Sequence, residues 1–115
     1  NTSASGVLAT DSGWTALTLA GAWTNFGAPY QTARYRKVGG SVFVEGLVVP
    51  EAGTIATLPV GYRPAADLVF AVAQGGPGIS RVDITSAGAI SLNGTLAGAP
   101  SANYLSITLS FAVAA

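Results

Sequence analysis

The sequence predicts an all-β domain: an antiparallel β-sandwich, jelly-roll-like, of about eight strands. Three observations predict it. Leu105, Ile107, Leu109, Phe111 and Val113 alternate with Ser106, Thr108, Ser110 and Ala112, the two-residue period of a strand with one buried face. The 15 Gly and six Pro are spread evenly, which breaks helices throughout the chain. No apolar 3.6-residue period is sustained over a dozen residues.

Residues 1–12 are small and polar and read as an N-terminal connector; residues 13–115 read as a single β-sandwich domain. The predicted strands are 14–19, 32–38, 41–49, 54–58, 67–74, 79–85, 88–92 and 103–113. In 32–38, Arg34 and Arg36 fall on one face, with Tyr35 and Lys37 on the other. Gly39-Gly40 supplies the positive φ angles of a tight hairpin into 41–49. The runs Val42–Val49 and Leu68–Ala73 are apolar on both faces, which predicts cover on both sides, the second from another sheet or another subunit. In 79–85, Val82 and Ile84 face one way, while Arg81 and Asp83 are same-face neighbours. Thr85-Ser-Ala-Gly88 turns the chain into the next strand, and Asn93-Gly94 is a second turn candidate.

Only ten of the 115 residues are charged, five of each sign, and net charge is zero. A monomer of this mass exposes roughly 5,800 Å², so charge cover is thin. Hydrophobic residues make up 50% and mean hydropathy is +0.50. Disorder is excluded by this composition. Nucleic-acid binding is not expected without a Lys/Arg surplus. No stretch of about 20 predominantly apolar residues exists, so membrane insertion is not expected either. The chain has no His and no Cys, which removes imidazole bases, thiol nucleophiles, disulfides and nearly all zinc, copper or haem sites. No metal, cofactor or catalytic residue is expected. The N-terminus lacks an initiator Met and the basic and apolar regions of a signal peptide, so the expectation is a processed product or a piece of something longer.

Few constellations could carry chemistry. Asp11, Glu45, Glu51, Asp67 and Asp83 are dispersed, whereas acid–base hydrolysis needs two carboxylates in one cleft. Glu45 lies in an otherwise apolar strand and should meet an arginine or a subunit boundary. Gly75-Gly-Pro-Gly78 loses one amide of a phosphate cradle to Pro77, has no following lysine, and reads as a turn. Arg34-Tyr-Arg-Lys37 holds three of the five cations, but strand alternation divides them, so they read as a solvated or interface face. Asn1-Thr-Ser3 and Asn93-Gly-Thr95 match the N-glycosylation acceptor pattern, which carries meaning only for a eukaryotic secretory source.

The loop Trp23-Thr-Asn-Phe-Gly-Ala-Pro-Tyr30 places three aromatics around an amide. Trp23, Asn25, Phe26 and Tyr30 are the ligand-binding candidates, suited to stacking on sugar rings or anchoring a partner. The alternative is that these rings plug one end of the sandwich or pack on a neighbouring subunit.

Gly53-Thr-Ile-Ala-Thr-Leu-Pro-Val-Gly-Tyr-Arg-Pro64 carries a mechanical signal. Pro59 and Pro64 end strands, Gly61 permits a sharp turn, Tyr62 tucks inward, and Arg63 holds carbonyls or a carboxylate. This structural turn resembles a segment of the distal domains of tailed-bacteriophage tail fibres, baseplate receptor-binding proteins and related virion appendages. Tyr35-Arg-Lys-Val-Gly-Gly-Ser-Val42 followed by Glu45-Gly46, Asp83-Ile-Thr-Ser-Ala-Gly-Ala-Ile90, and Tyr104-Leu-Ser-Ile107 running to Phe111 are similar to that family's other strand units.

The resemblance covers roughly residues 14–113. It implies a non-enzymatic virion domain, in the tail or as a capsid appendage, that assembles as a homotrimer with other virion proteins and contacts the bacterial host surface, often a saccharide. The alternative within the same setting is a purely structural head-fibre, decoration or collar protein without a specific ligand. Sparse charge independently suits a domain that does not work alone. The small-residue face of the last strand, Ser106, Thr108 and Ser110, is the candidate trimer interface.

Overall fold

A computed structural model describes residues 11–51, 53–75, 78–97 and 104–114. Residues 1–10 of the expected connector, with Asn1-Thr-Ser3, lie outside the described residues, as do Gly76 and Pro77 of the expected glycine-rich turn. Eleven strands are found among the described residues, with no helix: β1 Thr15–Ala16, β2 Thr24–Asn25, β3 Arg34–Val38, β4 Ser41–Glu45, β5 Leu47–Val49, β6 Gly53–Thr57, β7 Leu68–Gln74, β8 Gly78–Ile84, β9 Ala89–Ala97, β10 Leu105–Ser106 and β11 Leu109–Ala112.

They form two antiparallel sheets. The larger has the order β2-β5-β10-β7-β8-β9-β6, the smaller β11-β4-β3-β1. Both contribute inward side chains to one core. Val42, Val44, Leu109 and Phe111 come from the smaller sheet, and Val48, Ile55, Val82, Ile84, Ile90 and Leu105 from the larger. The alternation read in the last strand is therefore the core pattern, with Ser106 half-buried and Thr108, Ser110 and Ala112 exposed on the outer side.

The eight expected segments become eleven strands for a local reason. The runs 41–49 and 103–113 each leave one sheet and enter the other. The first breaks at Gly46, between β4 and β5, and the second at Ile107 and Thr108, between β10 and β11. The two crossings meet. The Ile107 amide donates to the Gly46 carbonyl at 3.0 Å, and the Gly46 amide lies 3.4 Å from Thr108 Oγ1. A Cβ on Gly46 would stand 2.7 Å from the Ala33 Cα. Only glycine lets the crossing pass this close to the neighbouring backbone. A short β2 inside the aromatic loop supplies the remaining strand; two residues are too few for a periodic signal.

Two further readings are corrected, and a third is met within this chain on one side only. Asn93-Gly94 is not a turn. Leu92 pairs with Val82 and Thr95 with Ser80, so two residues of β9 oppose Arg81 alone, which is a bulge within the strand. The runs expected to be covered on both sides have one face in the core of this chain, and Phe43, Val69, Ala71 and Ala73 are exposed on the other, the face for which the reading allowed another subunit. Asp11 and Ser12, read as the end of the connector, are bonded to β3. Asp11 bridges Val38, and the Ser12 amide donates to the Lys37 carbonyl at 2.9 Å.

The two hairpin turns at Gly39-Gly40 and Thr85–Gly88 fall where expected, although only Gly39 of the first pair takes positive φ, +58°. Val38 pairs with Ser41 across the two glycines. The Gly88 amide donates to the Thr85 carbonyl at 2.8 Å, closing the second hairpin.

Candidate functional site

The Pro59–Pro64 turn is scaffold. The Tyr62 amide donates to the Pro59 carbonyl at 3.1 Å, and Gly61 has φ +96°. Tyr62 is half-buried against the core and meets Tyr35 edge-on at 5.1 Å. Arg63 Nε donates to the Leu58 carbonyl at 2.8 Å, the role the sequence suggested. Pro64 is buried, whereas Pro59 is exposed.

The expected ligand loop separates into a core residue and a surface cluster. Trp23 is 4% exposed and belongs to the core, so its ring is not available for stacking on a ligand. The loop's turn contains a cis Ala28–Pro29 peptide. Asn25 is at the surface, but its side-chain oxygen accepts the Ala33 amide at 2.7 Å; the amide group pins β2 to the start of β3. Phe26 and Tyr30 stay outside, 36% and 53% exposed, and meet edge-on at 5.4 Å. Tyr104, which sequence reasoning did not select as a binding residue, joins them edge-on to Phe26 at 6.0 Å. Its position in the run leading to β10 gave no hint that it neighbours Phe26. β2 and β10 both flank β5, which brings the two segments together. The result is an aromatic corner of Phe26, Tyr30 and Tyr104 at one edge of the larger sheet. One apolar and two amphipathic rings held by each other give rigid contact area at low entropic cost.

A second concavity lies on the outer face of the smaller sheet. It is a groove of about 470 Å³ lined by Trp14, Arg36, Phe43, Glu45, Thr108 and Ser110, among others. Strand register builds it: Arg34 stands opposite Glu45, Arg36 opposite Phe43, and Phe43 opposite Ser110. Trp14 packs over the arginines, with the Arg34 guanidinium 4.0 Å and that of Arg36 5.3 Å from its ring centre. Trp14 and Phe43 remain 37% and 40% exposed.

Electrostatics here are internally closed. Arg34 Nε donates to Glu45 Oε1 at 2.7 Å, which gives Glu45 the arginine its apolar strand required. Arg36 Nε donates to Asp11 Oδ1 at 2.9 Å. That bond and the Gly13 amide hold the Asp11 carboxyl below its ordinary pKa. On the larger sheet, Arg81 Nε donates to Asp83 Oδ1 at 2.9 Å. Asn93 adds a bond to Asp83 at 2.7 Å. The Asp83 carboxyl is lowered, chiefly by the Arg81 hydrogen bond and less by Asn93. Lys37 Nζ donates to the Gly61 carbonyl at 2.8 Å and sits over the Tyr62 ring. All five cations are thus held by carboxylates or carbonyls. Among the described residues, no group of three or more His, Cys, Asp or Glu gathers that could hold a metal ion.

The candidate interface residues Ser106, Thr108 and Ser110 do not form one surface. The crossing at 107–108 leaves Ser106 on the larger sheet and Ser110 on the smaller. A row of exposed apolar side chains lies elsewhere, on β7 and β8: Val69 is 61% and Ile79 46% exposed, beside Ala71 and Ala73, with Arg81 and Asp83 on the same face.

No family model matches the sequence, and no curated protein matches it significantly. Among solved structures, the chain is similar to the crystal structure of the receptor binding protein (gp15) of Listeria phage PSA, at TM-score 0.71 and 21% identity. The match covers 93% of this chain and 67% of that one. This chain therefore has, over nearly its whole length, the β-sandwich fold found in a phage receptor-binding protein.

Proposed function

We propose that this chain is a non-enzymatic receptor-binding domain of a bacteriophage virion appendage, trimeric, and that it contacts the bacterial host surface. The observation that carries this reading is the shared fold with a phage receptor binding protein across 93% of the chain. The Pro59–Pro64 turn and its neighbouring strand units support it independently from the sequence. The aromatic corner supplies the contact surface: Phe26, Tyr30 and Tyr104, with a saccharide of the host envelope as ligand. The ligand-free alternative, a structural head-fibre or collar component, draws on the internal pairing of every cation, which leaves few polar groups waiting for a partner.

The homotrimer is supported by the exposed row Val69, Ala71, Ala73 and Ile79. With the Arg81–Asp83 pair opposite Ala71 and Val69, this is the face that a second copy would cover.

The test is adhesion. Fluorescently labelled protein is incubated with Listeria cells and with a panel of other bacteria, beside the Tyr30→Ala and Tyr104→Ala variants. Binding to at least one strain, reduced in the variants, is the expected result. Absence of binding to every strain would favour the structural alternative. Immunogold labelling of the virion then separates tail tip from capsid.

A further inference from the structure

We infer that the groove between Trp14 and Phe43 on the smaller sheet is a second binding site, and that its ligand is an uncharged saccharide unit. The inference rests on the host-contact reading only for the source of such a sugar; the ligand class follows from the groove itself.

Size is the first argument. About 470 Å³ falls within the usual range of small-molecule sites.

Charge is the second. One guanidinium and one carboxylate, Arg36 and Glu45, line the groove, and each is neutralised by a partner that is not part of the lining. Arg34 is bound by Glu45 and Arg36 by Asp11. A phosphate or carboxylate ligand would have to compete with a carboxylate already in place, and a cation would meet a guanidinium beside each acid. An uncharged ligand faces neither cost. The fixed pairs still offer unused N–H donors and carboxylate lone pairs at set positions, which hydroxyl groups can accept from and donate to.

The third argument is the order of side chains. Trp14, Arg36, Phe43 and Ser110 succeed one another across the sheet, with Glu45 and Thr108 alongside. Aromatic surface thus alternates with hydrogen-bonding groups at the interstrand spacing of about 4.8 Å, over roughly 14 Å in all. A pyranose has the same alternation, with an apolar C–H face and a hydroxyl rim. Two half-exposed aromatics beside ordered polar groups suit that shape. A second copy of the chain is the weaker occupant. The β7–β8 surface, with Val69 and Ile79 exposed beside the Arg81–Asp83 pair, would bury one ion pair, whereas docking a protein here would bury two.

Trp14 also provides a local reporter. The chain's only other tryptophan, Trp23, is in the core. The test is a titration of the ¹⁵N-labelled chain with glucose, galactose, rhamnose and N-acetylglucosamine, using glucuronate and glycerol 3-phosphate as charged controls. We expect at least one neutral sugar to shift the Arg36, Phe43 and Ser110 amides and the Trp14 indole. Phe43→Ala should weaken that response roughly tenfold, with Phe43→Tyr retaining it and both variants keeping the wild-type spectrum elsewhere. Response to the charged probes alone would overturn the assignment, as would no response in the groove. Shifts confined to Phe26, Tyr30 and Tyr104, or adhesion to cells without any groove response, would reject this site while leaving the host-contact reading intact. Groove signals that change with protein concentration rather than with sugar would identify a second copy as the occupant and reject the inference.

Discussion

The Leu58 amide donates to the Gly88 carbonyl at 2.8 Å, and a Cβ on Gly88 would stand 2.6 Å from the Leu58 carbonyl oxygen. The Pro59–Pro64 turn and the β8–β9 hairpin are thereby locked against each other. Gly88 also has φ +87°, a conformation that costs an L-residue about 1–2 kcal/mol before any clash. Gly88→Ala should lower stability by at least about 2 kcal/mol and Tm by roughly 8 °C. Thermal unfolding followed by circular dichroism checks this. An unchanged Tm would mean that the two turns are not rigidly joined.

Trp23 and Tyr30 belong to one loop but answer to different physics. Trp23→Ala should cost about 3–5 kcal/mol, as expected for deleting a buried aromatic, and should be visible as a lower denaturation midpoint. Tyr30→Ala, at a half-exposed position, should cost less than about 1 kcal/mol while reducing adhesion to cells. A Trp23→Ala variant of full stability that fails only in adhesion would move the ring from core to contact surface.

Acid should loosen the domain in a defined window. Asp11 and Asp83 are both held below their ordinary value of 3.8 by arginine partners. A carboxyl with a lowered folded-state pKa stabilises the fold fully above its unfolded value, and that contribution fades as pH falls through the folded value. With no His or Cys in the chain, Tm should be level between about pH 5 and 8 and fall below about pH 4. Asp83→Asn should flatten part of the acid limb. A Tm that fell between pH 7 and 5 would contradict this account.

The β7–β8 surface predicts assembly. Light scattering at micromolar concentration should give three times the 11.4 kDa of one chain. Val69→Lys should reduce it to one, with the far-ultraviolet spectrum unchanged. A wild-type monomer would refute the trimer, and a trimer indifferent to Val69→Lys would relocate its interface.

Much of this was legible because strands write a short period. The last strand's alternation, the Gly39-Gly40 hairpin, the Arg81–Asp83 pair and an arginine for Glu45 all follow from local sequence. The structure departs from the reading where contact depends on distant segments. Gly46 reads as the middle of one long strand because its break is imposed by Ala33 and Ile107, which are remote in sequence. Asn93-Gly94 reads as a turn because the same dipeptide also suits a bulge, and only the β8 register decides between them. Tyr104 gave no functional signal, since its neighbour Phe26 comes from the opposite end of the chain. Trp14 likewise gains its role from arginines twenty and more residues away.

The corner at Gly46 and Thr108 joins positions 62 residues apart. Closing a loop of that length costs about 3.7 kcal/mol in its length-dependent part alone, before any contact at the corner compensates. The β3–β4 hairpin of the smaller sheet and the β7–β8–β9 meander of the larger face no such delay. Folding should therefore begin in these local units and wait on the corner, whose closure brings the final strands onto both sheets in one step. Each sheet can start alone, but neither can finish alone: the slow event for one is the slow event for the other.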